Sequence, residues 1–224
     1  MNTEQLNIAV SVIEAAKALH TDGLTCANSG NVSARFGEGL LITPSGVPYE
    51  QLSPSDIVWL DLDGRPRPGS LAPSSEWHFH CRIYRDKPDV HGIVHAHSPA
   101  ATAFSVTRQP LPSFHYMVAL CREKNSPPFH IPCCDYQTFG TEALSDAVAA
   151  SLQGYQACLM ANHGMIATGQ TLSSAYRLAL EVENLCEQYA RAVSLNMPLM
   201  MLTDDDMSAA FDAFAQYGQK TSNT

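Results

Sequence analysis

The chain has 224 residues, 45% of them hydrophobic and 16% charged, which is ample material for one large domain spanning residues 1–224 that needs no disulfide or structural metal to fold. A formal net charge of −9 argues against a nucleic-acid partner, because binding a phosphate backbone requires a basic surface. An anionic small molecule would have to be held by a local device such as backbone amides or a metal ion.

The remaining exclusions are local. Glu4 and Glu14 interrupt the N-terminal segment, so no signal peptide is expected. No run approaches the ~18 apolar residues of a membrane span. The seven cysteines are an odd number and include no Cys-x-x-Cys. Free thiols in a reducing compartment follow, and the expected location is the cytoplasm.

In chain order, residues 4–20 predict a helix, with Leu6, Ala9, Val10, Ile13 and Ala16 at helical spacing and Gly23 as a stop. Residues 40–43 and 57–61 predict short strands, separated by Pro, Ser and Gly. A helix is expected over 75–87, stopped by Pro88. Residues 92–97 read as a strand, followed by a short helix near 99–106. A helix at 141–152, an apolar strand at 157–161, a long helix at about 171–194 and a last helix near 204–216 complete the pattern. Strands mix with helices without a regular βαβ beat, which predicts an α/β/α layered domain around a mixed, mostly antiparallel sheet. There is no glycine-rich dinucleotide or P-loop fingerprint.

Three features bear chemistry. The first is His95-Ala96-His97 at the end of the 92–97 strand. Residues i and i+2 of a strand face the same side, so both imidazoles project together. His163 follows another apolar strand, and three His ligands leave coordination positions open, as a catalytic zinc requires. The second is Pro73-Ser74-Ser75-Glu76. Ser74 or Ser75 can cap the following helix, whose first amides would then face a phosphate, and Glu76 is a candidate general base beside them. The third is a pair of small-residue turns, Asn28-Ser29-Gly30-Asn31 and Thr43-Pro44-Ser45-Gly46, which can form an anion nest. Each feature has an ordinary structural reading: edge histidines, a simple cap, plain turns. The other six histidines are weaker candidates. His78 and His80 lie two apart on a helix and do not share a face, and His115 is expected to be structural.

Taken together and in order, these motifs resemble the class II aldolase/adducin superfamily, most closely its L-fuculose-1-phosphate aldolase branch. The resemblance runs from Gly23 to Tyr217. Its further stretches are Ser29-Gly30-Asn31-Val32-Ser33, Ser74-Ser75-Glu76-Trp77, His115-Tyr116-Met117, Tyr136-Gln137-Thr138-Phe139-Gly140-Thr141 and Asn162-His163-Gly164. It implies a three-layer α/β/α sandwich and a zinc ion, one per chain, on His95, His97 and His163. Glu76 matches the acid/base carboxylate, which can also approach the metal. Asn31, Ser45, Gly46, Ser74 and Ser75 match the phosphate pocket. Tyr116 matches a catalytic tyrosine donated by a neighbouring subunit. Phe139, Phe214 and Tyr217 match aromatic residues on the aldehyde side. The family implies a cyclic homotetramer with active sites at subunit interfaces.

The implied reaction is cleavage of the C3–C4 bond of a ketose 1-phosphate, giving dihydroxyacetone phosphate and an aldehyde. The charge left beside the ketone is taken up by zinc as a Lewis acid. No Schiff-base lysine is expected, since Lys17, Lys87, Lys124 and Lys220 occupy no motif for one. L-Fuculose 1-phosphate is the default substrate and a 5-deoxypentulose 1-phosphate its close competitor. One stretch departs from the pattern: Cys121–Pro128 makes the loop before Ile131-Pro132-Cys133 about five residues longer than the family's, close to Tyr116 in sequence. The competing readings are another enzyme of the superfamily (a sugar-phosphate 4-epimerase, a sugar-acid phosphate decarboxylase or a methylthioribulose-phosphate dehydratase) and a non-catalytic adducin-like protein. The epimerases carry Asp where Glu76 stands, and adducin lacks the metal ligands.

Overall fold

The computed structural model describes residues 1–26, 29–124, 126 and 128–216. Helix α1 (Thr3–Thr21) starts where the Asn2 side chain accepts the Gln5 amide at 2.8 Å, the usual remedy for an orphan N-terminal N–H. Its buried stripe is Ala9, Val12, Ile13, Ala16 and Leu19. The sequence placed Leu6 and Val10 in that stripe, but both are exposed. The helix is rotated so that Val12 and Leu19 face the sheet.

Seven strands form one sheet: β1 (Asn31–Phe36), β2 (Gly39–Ile42), β3 (Val58–Asp61), β4 (Gly92–Ala96), β5 (Cys133–Cys134), β6 (Ala157–Met160) and β7 (Gly164–Gly169). Their order is β3-β2-β1-β4-β7-β6-β5. Every neighbouring pair is antiparallel except β5 and β6. β4 therefore lies at the centre, paired on one side with β1 and on the other with β7.

Side chains alternate across the sheet and feed two separate cores. On one face Ile93, Leu40 and Ile166 pack with Phe79 and Ile83 of α2 (Trp77–Asp86) and Leu144 of α4 (Glu142–Ser151). On the other, Val94, Ala96 and Ala167 pack with α1 and with Leu178, Val182 and Leu185 of α5 (Leu172–Ser194). Helices cover both faces, so the architecture is a three-layer α/β/α sandwich.

The sequence reading omitted three strands, β1, β5 and β7, and the first and last of these flank the histidine strand. β1 alternates apolar Val32 and Ala34 with Asn31, Ser33 and Arg35, a pattern that normally marks a solvated face. Here Asn31 and Ser33 are buried beneath α2. β7 begins and ends in glycine, which masked its apolar centre.

Short helix α3 (Pro99–Ser105) fixes the chain just after β4. The Glu183 carboxylate of α5 accepts the Ala100 and Ala101 amides at 2.7 and 2.8 Å, an anion placed on a helix N-terminus. Last comes α6 (Asp204–Gln216), opened by three acidic residues that suit the positive end of its dipole. Among the described residues no helix is long and apolar enough to cross a membrane.

Candidate active site

The site is assembled at one end of the three central strands. His95 is the penultimate residue of β4, with Asn31 opposite on β1 and Ile166 opposite on β7. His97 follows one residue past the strand. His163 sits in the tight turn joining β6 to β7, where its amide donates to the Met160 carbonyl at 3.0 Å. Asn162 in that turn has φ +55°, a left-handed conformation that asparagine tolerates better than most residues. Gly30 has φ +94°, and a Cβ there would lie 2.6 Å from the His95 carbonyl oxygen, so only glycine allows this approach.

Glu76 comes from α2, as the residue immediately before its first turn. Neither Ser74 nor Ser75 caps that helix through its side chain, which corrects the expected cap and the expected start at residue 75. The chain instead turns tightly, with the Trp77 amide on the Ser74 carbonyl at 3.1 Å, and this turn carries Glu76 inward beneath β1.

The four side chains converge. His97 Nε2 lies 3.0 Å from both His95 Nε2 and His163 Nε2. Glu76 Oε2 is 3.2 Å from His95 Nε2, and Oε1 is 3.3 Å from His163 Nε2. All four ligand atoms fall within 4.8 Å of one another. A tetrahedral ion with ~2.0–2.1 Å bonds to nitrogen has ligand edges of about 3.3 Å, close to these spacings.

The protonation states fit a cation. His95 Nδ1 donates to the Met165 carbonyl at 2.9 Å, so the Nε2 lone pair faces the cluster. Burial, with the neighbouring imidazoles, pushes His97 down to about 3 and His163 to about 4. Both are neutral ligands at neutral pH. Burial alone would raise the Glu76 carboxyl, but positive charge on His95, His163 and His97 outweighs it and holds the group well below the usual carboxylate range; with the rings neutral, a cation held among them would play the same part. Glu76 Oε1 is buried with no hydrogen-bond donor among the described residues. A buried acceptor without a partner is costly, and an ion among these lone pairs would satisfy it. The residues present therefore fit a metal.

A pocket of about 430 Å³ opens over this cluster, within the size range of small-ligand sites. Asn31, Ser45, Gly46, Ser74 and Ser75 all line it, beside Glu76, His97 and His163. Phe139 lines it as well. Among the described residues, no lysine or arginine lines this pocket and Glu76 is its sole carboxylate. A phosphate here would be received by hydroxyls and amides rather than by a cationic side chain.

Tyr116 and Phe214 lie elsewhere. Their rings stack at 5.9 Å and line a separate hollow with Met117, Ala210 and Ala213. Tyr217 lies outside the described residues. His115 caps the 3-10 turn that carries Tyr116, its Nδ1 accepting the Met117 amide at 3.3 Å.

Sequence reasoning missed Tyr49, Tyr136 and Gln137, which also line the pocket. Tyr49 donates to the Gly30 carbonyl at 2.8 Å and braces the glycine turn; nothing local in the sequence marks it. Tyr136 and Gln137 lie in a stretch that carried the family resemblance, and that stretch was the available signal.

A cluster of three imidazoles and one carboxylate that could hold a metal ion thus opens into a pocket without lysine or arginine, among the described residues, on an α/β/α sandwich. Residues 10–190 match the family model of the class II aldolase and adducin N-terminal domain. The chain is 45% identical over 207 residues to a 5-methylthioribulose-1-phosphate/5-deoxyribulose-1-phosphate aldolase of Rhodospirillum rubrum, covering 92% of this chain and 90% of the relative. It is 38% identical to the L-fuculose phosphate aldolase of Escherichia coli K12, over 96% of this chain and 97% of that one. A solved L-fuculose 1-phosphate aldolase superposes with a TM-score of 0.87 at 33% identity, over 93% of this chain and 96% of its own. The chain belongs to the class II aldolase and adducin family and is one of its metal-dependent lyases.

Proposed function

We propose that this chain is a zinc-dependent aldolase that cleaves a ketose 1-phosphate to dihydroxyacetone phosphate and a short aldehyde. The observation that carries this reading is the convergence of His95, His97 and His163 on Glu76 inside a pocket that also holds Ser45, Gly46, Ser74 and Ser75. Three imidazole nitrogens with open positions suit zinc.

Zinc bound there supplies a Lewis acid for the charge that develops beside the C2 ketone. The chain's own residues do the rest. Asn31, Ser45, Gly46, Ser74 and Ser75 hold the phosphate and so set the position of C3, where misplacement is costly. Glu76, ionised and partly shielded from water, accepts the C3 proton in the synthetic direction and returns it in cleavage. Tyr116 serves the proton of the C4 hydroxyl.

For the aldehyde half, the first reading is a short apolar end, as in 5-deoxyribulose 1-phosphate and its 5-methylthio counterpart. Support comes from the 45% identical relative and from the exposed rings of Tyr136 and Phe139 in the pocket lining. L-Fuculose 1-phosphate, whose lactaldehyde half carries one more hydroxyl, is the second reading, supported by the relatives named for it. Release of dihydroxyacetone phosphate from a panel of ketose 1-phosphates separates them. The expected result is a higher kcat/KM for 5-deoxyribulose 1-phosphate than for L-fuculose 1-phosphate. The reverse order favours the second reading, and no release from any member refutes the aldolase.

The working form is a cyclic homotetramer in the cytoplasm, with sites shared between subunits. Within one chain Tyr116 is half exposed and absent from the lining of the Glu76 pocket, as expected of a group offered to a neighbour. Glu76→Gln and Tyr116→Phe chains should each be impaired alone. Co-expressed and randomly mixed, they should restore about a quarter of sites. If Tyr116→Phe alone is clearly slow and mixing is verified by mass, activity no higher than the parental average places both residues on one chain.

A further inference from the structure

The acid/base carboxylate is the end of a buried polar ladder between β1 and α2. Asn31 Nδ2 donates to Glu76 Oε2 at 3.1 Å. Asn31 Oδ1 bonds to His80 Nε2. His80 Nδ1 meets Ser33 Oγ at 2.7 Å, and Ser33 Oγ meets the Tyr84 hydroxyl at 2.9 Å. Glu76, His80 and Tyr84 recur every four residues on one helix face, and Asn31 and Ser33 share one strand face. Asn31 is 2% exposed, and Ser33 and His80 are fully buried.

Hydrogen-bond chemistry sets the direction of every rung. An ionised carboxylate only accepts, so Asn31 must present its NH₂ to Glu76. Its carbonyl then faces His80 and needs a donor, which makes Nε2 the protonated nitrogen. Nδ1 is left as an acceptor, so Ser33 donates to it and takes the Tyr84 hydroxyl proton in turn. Burial, with His95 adding, pushes His80 down to about 3, consistent with a neutral ring carrying one N–H. Turning the Asn31 amide round would oppose two acceptors at Glu76, and the His80 N–H forbids it.

We infer that His80 is a positioning residue for the reaction, acting through Asn31 to hold Glu76 by its Oε2 and leave Oε1 free of any hydrogen-bond donor among the described residues. This rests on the reading of Glu76 as the carboxylate that moves the C3 proton. A satisfied core histidine would be the plain alternative, but a buried polar ladder gains little over an apolar one of equal shape. Its value lies at its end, where Oε1 has no such donor while Oε2 is tied down. It also gives Asn31 a task besides receiving phosphate: its side-chain amide is already engaged on both sides.

The test is exchange of the C3 hydrogen of dihydroxyacetone phosphate with solvent deuterium, with metal content measured alongside. His80→Leu keeps the bulk and removes the donor. Its exchange kcat should fall about 10- to 100-fold, the usual cost of losing an outer-shell partner, with KM changing far less than kcat and metal per chain unchanged. His80→Gln, whose amide N–H can reach the place of Nε2, should recover most of the rate. An unchanged kcat in His80→Leu, or a loss that tracks loss of metal, overturns the role. If the wild-type protein exchanges nothing, the proposed reaction itself falls and this role with it. If His80→Leu does not fold, the ¹⁵N shifts of His80 in the wild-type protein decide. The Nε2–H form sustains the ladder, and the Nδ1–H form overturns it.

Discussion

Glu76→Gln should fold, bind metal through the three histidines and lose turnover by at least about 10²- to 10⁴-fold, the range that general acid–base catalysis supplies. The reasoning is local. The amide matches the carboxylate in shape but cannot accept the C3 proton. The pocket offers no second carboxylate among the described residues, so no neighbour can substitute. The substitution also disturbs the ladder: Asn31 Nδ2 now faces a group that donates as readily as it accepts, and the Oε2 anchor weakens. KM for a ketose 1-phosphate should change far less than kcat, because Ser45, Gly46, Ser74 and Ser75, the other residues proposed to hold the phosphate, are not altered. Steady-state kinetics on the metal-replete variant check this. A kcat within a few-fold of wild type would remove Glu76 from the mechanism.

The double variant His95→Ala, His163→Ala should fall from about one metal per chain to almost none and lose all metal-dependent activity. Three imidazoles are already the minimum for a catalytic site with open positions. Removing two leaves His97 and Glu76, and a pair of ligands does not hold zinc against ordinary chelation. The variant should still fold. Both side chains lie at the strand ends, and the cores on either face of the sheet are built from other residues. Metal analysis of the dialysed protein is the measurement, with thermal unfolding to verify the fold. Full occupancy in the double variant would refute the metal site.

The ease of reading this molecule from its sequence varied with how local each signal is. His95 and His97 were visible because a strand has period two and the strand around them is uniformly apolar. His163 was visible because it breaks from an apolar run into Gly164. That glycine is itself demanded by packing, since a Cβ there would run into the Ala96 carbonyl. Glu76 was recognisable by its motif, yet the reason for its position was not. It depends on α2 starting at Trp77 and on Asn31, 45 residues away in sequence.

The elements that escaped were those whose environment is set by tertiary packing. β1 reads as half-solvated because its buried face carries Asn31 and Ser33, and those polar groups are buried only because His80 and Tyr84 arrive from α2 to satisfy them. Likewise His80 looked idle in the sequence, two residues from His78 with no ligand spacing. Tyr49 gave no sign, because its bond to the Gly30 carbonyl joins segments distant in the chain. The phase of α1 was misjudged at Leu6 and Val10, where spacing alone allowed either flank of the stripe to face the sheet. After Cys121, Glu123 pairs with Lys87 at 2.6 Å and Arg122 lies 4.0 Å over the Phe129 ring. Such pairings follow from the fold and are not marked by local pattern.

The most direct test of the account is release of dihydroxyacetone phosphate from 5-deoxyribulose 1-phosphate, followed before chelation, after chelation and after zinc is restored. Steady release, its disappearance with the metal and its recovery on adding about one zinc per chain are the expected results. Release that persists undiminished in protein verified to be metal-free would contradict the account.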